Sequence, residues 1–182
     1  MNWFNTIAIL IAAYLAVFFQ ATFNELRHWV GVQIDLLPAI VVFASLSSGI
    51  VTLTLVCVCG GLWADSLSAN PLGISMLPLF LVGLLIHRSR EYILRDQAFA
   101  QFILGTAATA GASLLTLLMV INTNAQPLVG WFSLWQWFVL SLVGGGVTPV
   151  WFRFFDWVKE TLNYRPLGET SFRADREIKR GR

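Results

Sequence analysis

Charge is what this chain has least of. Asp, Glu, Lys and Arg together make up 12% of its 182 residues, while hydrophobic residues make up 57%. A water-soluble domain carries about twice that charge, so a soluble globular fold is excluded. Histidine and cysteine are also scarce, two of each. Cys57 and Cys59 stand two apart in an apolar run. That spacing is neither a Cys-x-x-Cys redox pair nor a zinc pair, and on a helix the two side chains face different ways. They read as free thiols buried in a span. His28 and His87 flank apolar runs without a carboxylate pair that would complete a metal set. The chain has no nucleophile-elbow serine, no His-Glu-x-x-His and no P-loop. Ionisable residues are missing from the interiors of its apolar runs, which argues against a proton relay or an ion-coupled transporter. The expectation is a non-enzymatic protein without cofactor or metal, and no charge pattern points to nucleic acid.

What the chain has instead is apolar runs near the roughly 20 residues that cross a hydrocarbon core. The fold class is therefore all-α, a polytopic bundle of transmembrane helices in a lipid bilayer. Span 1 covers about Trp3 to Phe23. It lacks the basic n-region and cleavage site of a secretory signal, so it reads as a retained span. From Leu36 to Trp63 the sequence is apolar for about 28 residues, too long for one untilted span and short for two. The break Ser45-Leu46-Ser47-Ser48-Gly49 suggests two short helices, about Leu36 to Leu46 and Gly49 to Trp63. Asp65 to Pro71 has turn chemistry. Span 4 covers about Leu72 to Ile86, with a kink expected at Pro78. His87 to Gln97 is a charged link. Span 5 covers about Phe99 to Ile121, and Asn122 to Gly130 is polar around Pro127. Span 6 covers about Trp131 to Phe152, with amphipathic turns reaching Asn163. This gives six spans, or five if Leu36 to Trp63 crosses only once. Residues 1–163 form the bundle, and 164–182 form a polar, disordered cytoplasmic tail.

Lysine and arginine cluster in the link at 87–97 and from Arg153 onward, which holds eight basic and five acidic residues. The positive-inside rule puts that link and the C-terminus in the cytoplasm, and with six spans the N-terminus too. Tryptophans mark the span ends. The cluster Trp131 to Phe138 reads as an interfacial anchor, with a ligand cage as the sharper alternative.

Small residues recur at helical spacing: Gly60-Gly61, then Gly105, Thr109 and Ser113 with Ala108 and Ala112, then Gly144-Gly145-Gly146. They allow close helix packing, inside the bundle or against a partner's span. Asp35 precedes Leu36-Leu37-Pro38 and is placed to cap a helix. Asp65 closes Gly60-Gly61-Leu62-Trp63-Ala64-Asp65, and Pro71 and Gly73 shape the turn that follows. Asp35, Gly60, Gly61, Asp65, Pro71 and Gly73 are the candidate partner-binding or structural residues.

The order Asp35-Leu36-Leu37, Gly60-Gly61-x-x-x-Asp65, Leu72-Gly73 and then Arg88 and Arg90 resembles the bacterial rod shape-determining protein MreD family. The resemblance covers about Gln33 to Arg95. Ile34 stands where the family often has proline. It implies a scaffold of the bacterial inner membrane that binds the single-span protein MreC. Through that complex it would work with MreB, RodA and a class B penicillin-binding transpeptidase in lateral peptidoglycan synthesis and cell shape. It also implies a fold similar to the substrate-binding subunits of energy-coupling-factor vitamin transporters, six helices with an outward pocket. Membership of that transporter class is the alternative function. Trp29, Trp63 and the Trp131 cluster would then line the pocket, and Ala8, Ala12 and Ala16 would dock an energising module.

Overall fold

The computed structural model describes residues 3–22, 35–68, 71–93, 97–122 and 130–162. The expectations for Arg27, His28 and Trp29, Asn70, Arg95, Pro127 and the tail at 164–182 lie outside the described residues. Within them there are six α-helices and one 3-10 turn. The helices are α1 (Trp3–Thr22), α2 (Leu37–Ser47), α3 (Ile50–Leu67), α4 (Met76–Ser89), α5 (Ala98–Asn122) and α6 (Trp131–Leu162); the 3-10 turn is Arg90–Tyr92. Four of them, α1, α3, α5 and α6, are long and apolar enough to cross a membrane. The protein is a multi-pass helical membrane bundle.

The break at Ser48-Gly49 turns the chain. Ser48 and Gly49 both take extended backbone between α2 and α3. Asn5 near the start of α1 donates to the Ser48 hydroxyl at 3.2 Å, and the Thr6 and Thr52 hydroxyls lie 2.9 Å apart. At the far end of α1, the Gln20 side chain accepts the Leu36 N–H at 3.4 Å, and Tyr14 packs edge-on against Trp63. Helix α1 therefore runs antiparallel to α2 and parallel to α3, and α2 and α3 form a hairpin. The single-crossing, five-span arrangement is set aside, and Asp35 and Asp65 stand at the same end of the bundle.

Helix α2 is 11 residues long, about 17 Å at 1.5 Å per residue, well short of a roughly 30 Å hydrocarbon core. Its burial explains how so short a helix is tolerated. Every residue from Leu37 to Ser45 is buried, and α2 packs against each of the other five helices. A helix that does not meet lipid need not match its thickness. With apolar lipid outside, close packing rather than water exclusion holds such a core together. Phe43 stacks on Phe155 at 4.2 Å and meets Phe152 edge-on at 5.0 Å.

Helix α4 returns alongside α2. Its start approaches Gly61, and at its end the His87 Nδ1–H donates to the Ser45 carbonyl at 2.8 Å. His87 is thus a tie between helix ends. Pro78 makes no mid-helix kink. It occupies the third position of α4, where a missing N–H breaks no helical hydrogen bond. The proline inside a helix is Pro149 in α6, which offers no N–H to the carbonyl of Gly145.

Helices α5 and α6 are the most extensively packed pair. Gly105 faces Thr148, Gly144 faces Thr109 and Gly145 faces Thr106, each too closely to admit a methyl group without movement. The threonine hydroxyls turn back to their own helices: Thr109 donates to the Gly105 carbonyl at 2.9 Å and Thr148 to that of Gly144 at 2.8 Å. The polar atoms are satisfied while the small faces meet.

Candidate functional site: the acidic end of the bundle

Helix α3 runs one turn further than its apolar pattern suggests. Asp65 lies in that last turn, only 1% exposed, instead of opening a solvated loop. A carboxylate is unfavourable at the C-terminus of its own helix. Here it faces the start of the next one. Its Oδ2 accepts the Gly73 N–H at 2.7 Å and the Ser75 N–H at 3.1 Å. Gly73 can turn its N–H toward Asp65 because its φ is +94°, a left-handed conformation that glycine adopts without a Cβ clash. Oδ1 of Asp65 is buried and has no hydrogen-bond partner among the described residues. Pro71 is exposed, and its carbonyl accepts the Ile74 N–H at 3.3 Å, so it shapes the turn without entering the latch.

The paired glycines have different neighbours. A Cβ on Gly61 would stand 2.8 Å from Cα of Met76, in the backbone at the start of α4. A Cβ on Gly60 would meet the Leu37 methyl at 2.8 Å, the end of a side chain on α2. Gly60 and Gly61 therefore pack α3 against α2 and α4, inside the bundle. Gly61, Asp65 and Gly73 form one structural unit.

Asp35 lies at the same end, half-buried ahead of α2. Its Oδ1 accepts the Leu37 N–H at 3.1 Å, a turn bond made from one residue ahead of the N-cap position, which Leu36 occupies. Desolvation outweighs the hydrogen bonds from Leu37 and Gln20 and pushes its carboxyl above the ordinary value of 3.8.

Beside Asp35 is a cavity of about 400 Å³. Every helix contributes to its wall: Val17, Gln20 and Ala21 from α1, Leu37 from α2, Ala64 and Leu67 from α3, Leu79 from α4, Ala112, Ser113 and Thr116 from α5, Gln136 and Leu140 from α6. Ser68 and Ser75, on either side of the α3–α4 turn, complete it. Trp63, Trp131, Trp135 and Trp137 do not line it, and of the Trp131 cluster Gln136 does. Trp131 is 87% exposed, as an interfacial anchor would be. From sequence, Ser113 reads only as a small packing residue and Gln136 only as a member of the Trp131 cluster, and nothing singles out Gln20 or Thr116. The available signal was their polarity within apolar runs, but single polar residues there most often back-bond to their own helix, as Thr116 does to Ala112.

Compared with models of known protein families, with curated proteins and with solved structures, the chain matches none. The functional reading rests on the site itself. Among the described residues no three His, Cys, Asp or Glu side chains come together in a way that could hold a metal ion. The site offers a rigid carboxylate latch and a polar cavity next to it.

Proposed function

We propose that the chain is a non-enzymatic MreD-like scaffold of a bacterial cytoplasmic membrane. It would bind the single span of an MreC-like partner and, with MreB, RodA and a class B penicillin-binding transpeptidase, help direct lateral peptidoglycan synthesis. The observation that carries this reading is the latch. Gly61-x-x-x-Asp65 and the Gly73 of Leu72-Gly73, from two of the separated elements behind the resemblance, are joined through the buried Asp65 carboxylate, while Leu72 stays exposed.

Orientation follows from charge. The four described basic residues, Arg88, Arg90, Arg153 and Lys159, all belong to the end of the bundle opposite Asp35 and Asp65. The positive-inside rule makes that end cytoplasmic, together with the start of α1, and turns the latch and cavity outward. In a rod-shaped source cell, deletion of the gene should round the cells, and the tagged chain should retain an MreC-like single-span protein from detergent extracts. Cells that stay rod-shaped, with no such partner retained, would overturn the proposal.

A second reading, a substrate-binding subunit of a vitamin-type transporter, is favoured by the cavity. The face expected to dock an energising module is largely occupied, however: Ala12 is 7% and Ala16 3% exposed, both turned into the bundle. Uptake of a vitamin by cells that co-express the chain with an energising module separates the readings, since only the second requires it.

A further inference from the structure

We infer that the cavity beside Asp35 is a binding site for a small organic molecule bearing a protonated amine, with Asp35 as its anchor. The inference takes the cavity from the second reading above but needs neither transport nor an energising module.

The cavity's size comes first. About 400 Å³ falls within the range of small-molecule pockets and far exceeds what a desolvated metal ion fills. Its walls mix apolar side chains with hydroxyls and carboxamides, which suits a ligand with an apolar body and a few polar contacts.

Its charge comes second. Among the described residues Asp35 is the only ionisable side chain lining it, with no Lys, Arg or His beside it. Asp65 stands close behind the wall, since its chain neighbour Ala64 and nearby Ser68 both line the cavity. Its carboxylate does not line the cavity and is engaged by the Gly73 and Ser75 N–H groups, which leaves Asp35 as the described carboxylate facing it. A cleft of one sign with low-dielectric walls concentrates counter-ions. A phosphate or carboxylate ligand would enter against that field without a cationic partner. An ammonium group would supply a counter-charge that the described residues do not offer Asp35, and could share its remaining N–H donors with Gln20, Ser113 or Thr116.

The test uses the full chain in nanodiscs, with Cys57→Ala and Cys59→Ala removing native thiols and Ser113→Cys placing a reporter in the wall. Labelling rates are measured with 2-aminoethyl, 2-sulfonatoethyl and methyl methanethiosulfonate. The cationic-to-anionic rate ratio should exceed that of a free thiol by about tenfold or more, the effect of one unpaired charge a few ångströms away at intermediate dielectric. Asp35→Asn should bring the ratio close to the free-thiol value while the neutral reagent reacts at an unchanged rate, which also reports that the bundle is intact. Gln136→Lys, which places a cation on the opposite wall and leaves Asp35 in place, should lower the ratio as well. Tryptamine should protect the reporter thiol, and indole-3-acetate, the same ring with a carboxylate, should not. A free-thiol ratio in the parent, a ratio indifferent to both substitutions, or equal effects of the two indoles would each overturn the inference. A retained MreC-like partner and rounded cells would be unaffected by any of these outcomes, so the scaffold reading stands or falls separately.

Discussion

Asp65 can hold the α3–α4 turn through its shape or through its charge, and two substitutions distinguish these. Asp65→Ala removes both accepted hydrogen bonds and leaves the Gly73 and Ser75 N–H groups without their acceptor. Hydrogen bonds to a charged group contribute about 1.5–3 kcal/mol each, and losing the buried charge's desolvation cost offsets part of that. The net loss should be about 2–4 kcal/mol. In Asp65→Asn the amide oxygen can accept both N–H groups, and the NH₂ takes the place of Oδ1, which has no partner to lose. That change should cost about 1 kcal/mol or less, because two bonds weaken from charged to neutral while a buried charge disappears. The gap of about 2 kcal/mol is a factor of about 30 in the folded-to-unfolded ratio. SDS titration in mixed micelles, followed by the fluorescence of the eight tryptophans, resolves it. If Asn proves as damaging as Ala, the charge itself is required and the latch argument fails. If Ala is neutral, the two bonds do not hold the turn.

Gly61→Ala and Gly146→Ala gain the same intrinsic helix preference, about 1 kcal/mol, but only the first drives a Cβ into backbone. In the same titration Gly61→Ala should lose about 1–3 kcal/mol through overpacking, and Gly146→Ala, with nothing within 4 Å, should hold steady or gain. Asp35 binds its proton more tightly folded than unfolded, so its contribution to stability falls as pH rises from the ordinary value of 3.8 through the raised folded value, and is level above that. Titrations of the parent and Asp35→Asn across this window should show the variant relatively more stable as pH increases; a difference independent of pH would contradict the burial of that carboxyl.

Much of the fold was legible because apolar run length and break residues carry it. Ser47-Ser48-Gly49 marked the hairpin, and the starts and ends of α1, α2 and α5 fell within a residue or two of the expected ones. Asp65 was misplaced for a physical reason. A carboxylate at the edge of an apolar run reads as the start of water, and the N–H groups that let it be buried come from residues 73 and 75, across a turn. Pro78 reads as a kink until the start of α4 is known to lie at Met76. The candidate residues Gly60, Gly61, Asp65 and Gly73 were recognisable as a group, but the cavity was not. Its polar lining is dispersed over α1, α5, α6 and the segments flanking α2, α3 and α4, and nothing local distinguishes Ser113 from a serine that simply bonds the turn before it.

The packing also limits how a partner's transmembrane helix could be held. Small-residue faces are the usual route to close helix contact in lipid. Here Gly60 and Gly61 are taken by α2 and α4, Gly105 and Thr109 by α6, Gly144 and Gly145 by α5, and Ala12 and Ala16 by the core. What α1 and α5 turn outward is bulky: Ile7, Ile11, Leu15 and Phe18 on one, Leu114 and Leu118 on the other. Gly146, between exposed Leu142 and Val150 on α6, is the member of those glycine groups left open to the outside. A single-span partner on α1 or α5 would therefore meet ridges of large side chains, and complementarity would have to come from notches on the partner's helix. The conspicuous glycines of this chain serve its own fold. Gly60 and Gly61 pack the acidic end, and Gly105, Gly144 and Gly145 pack α5 against α6, so a partner's helix would have to be recognised by the surfaces they leave exposed.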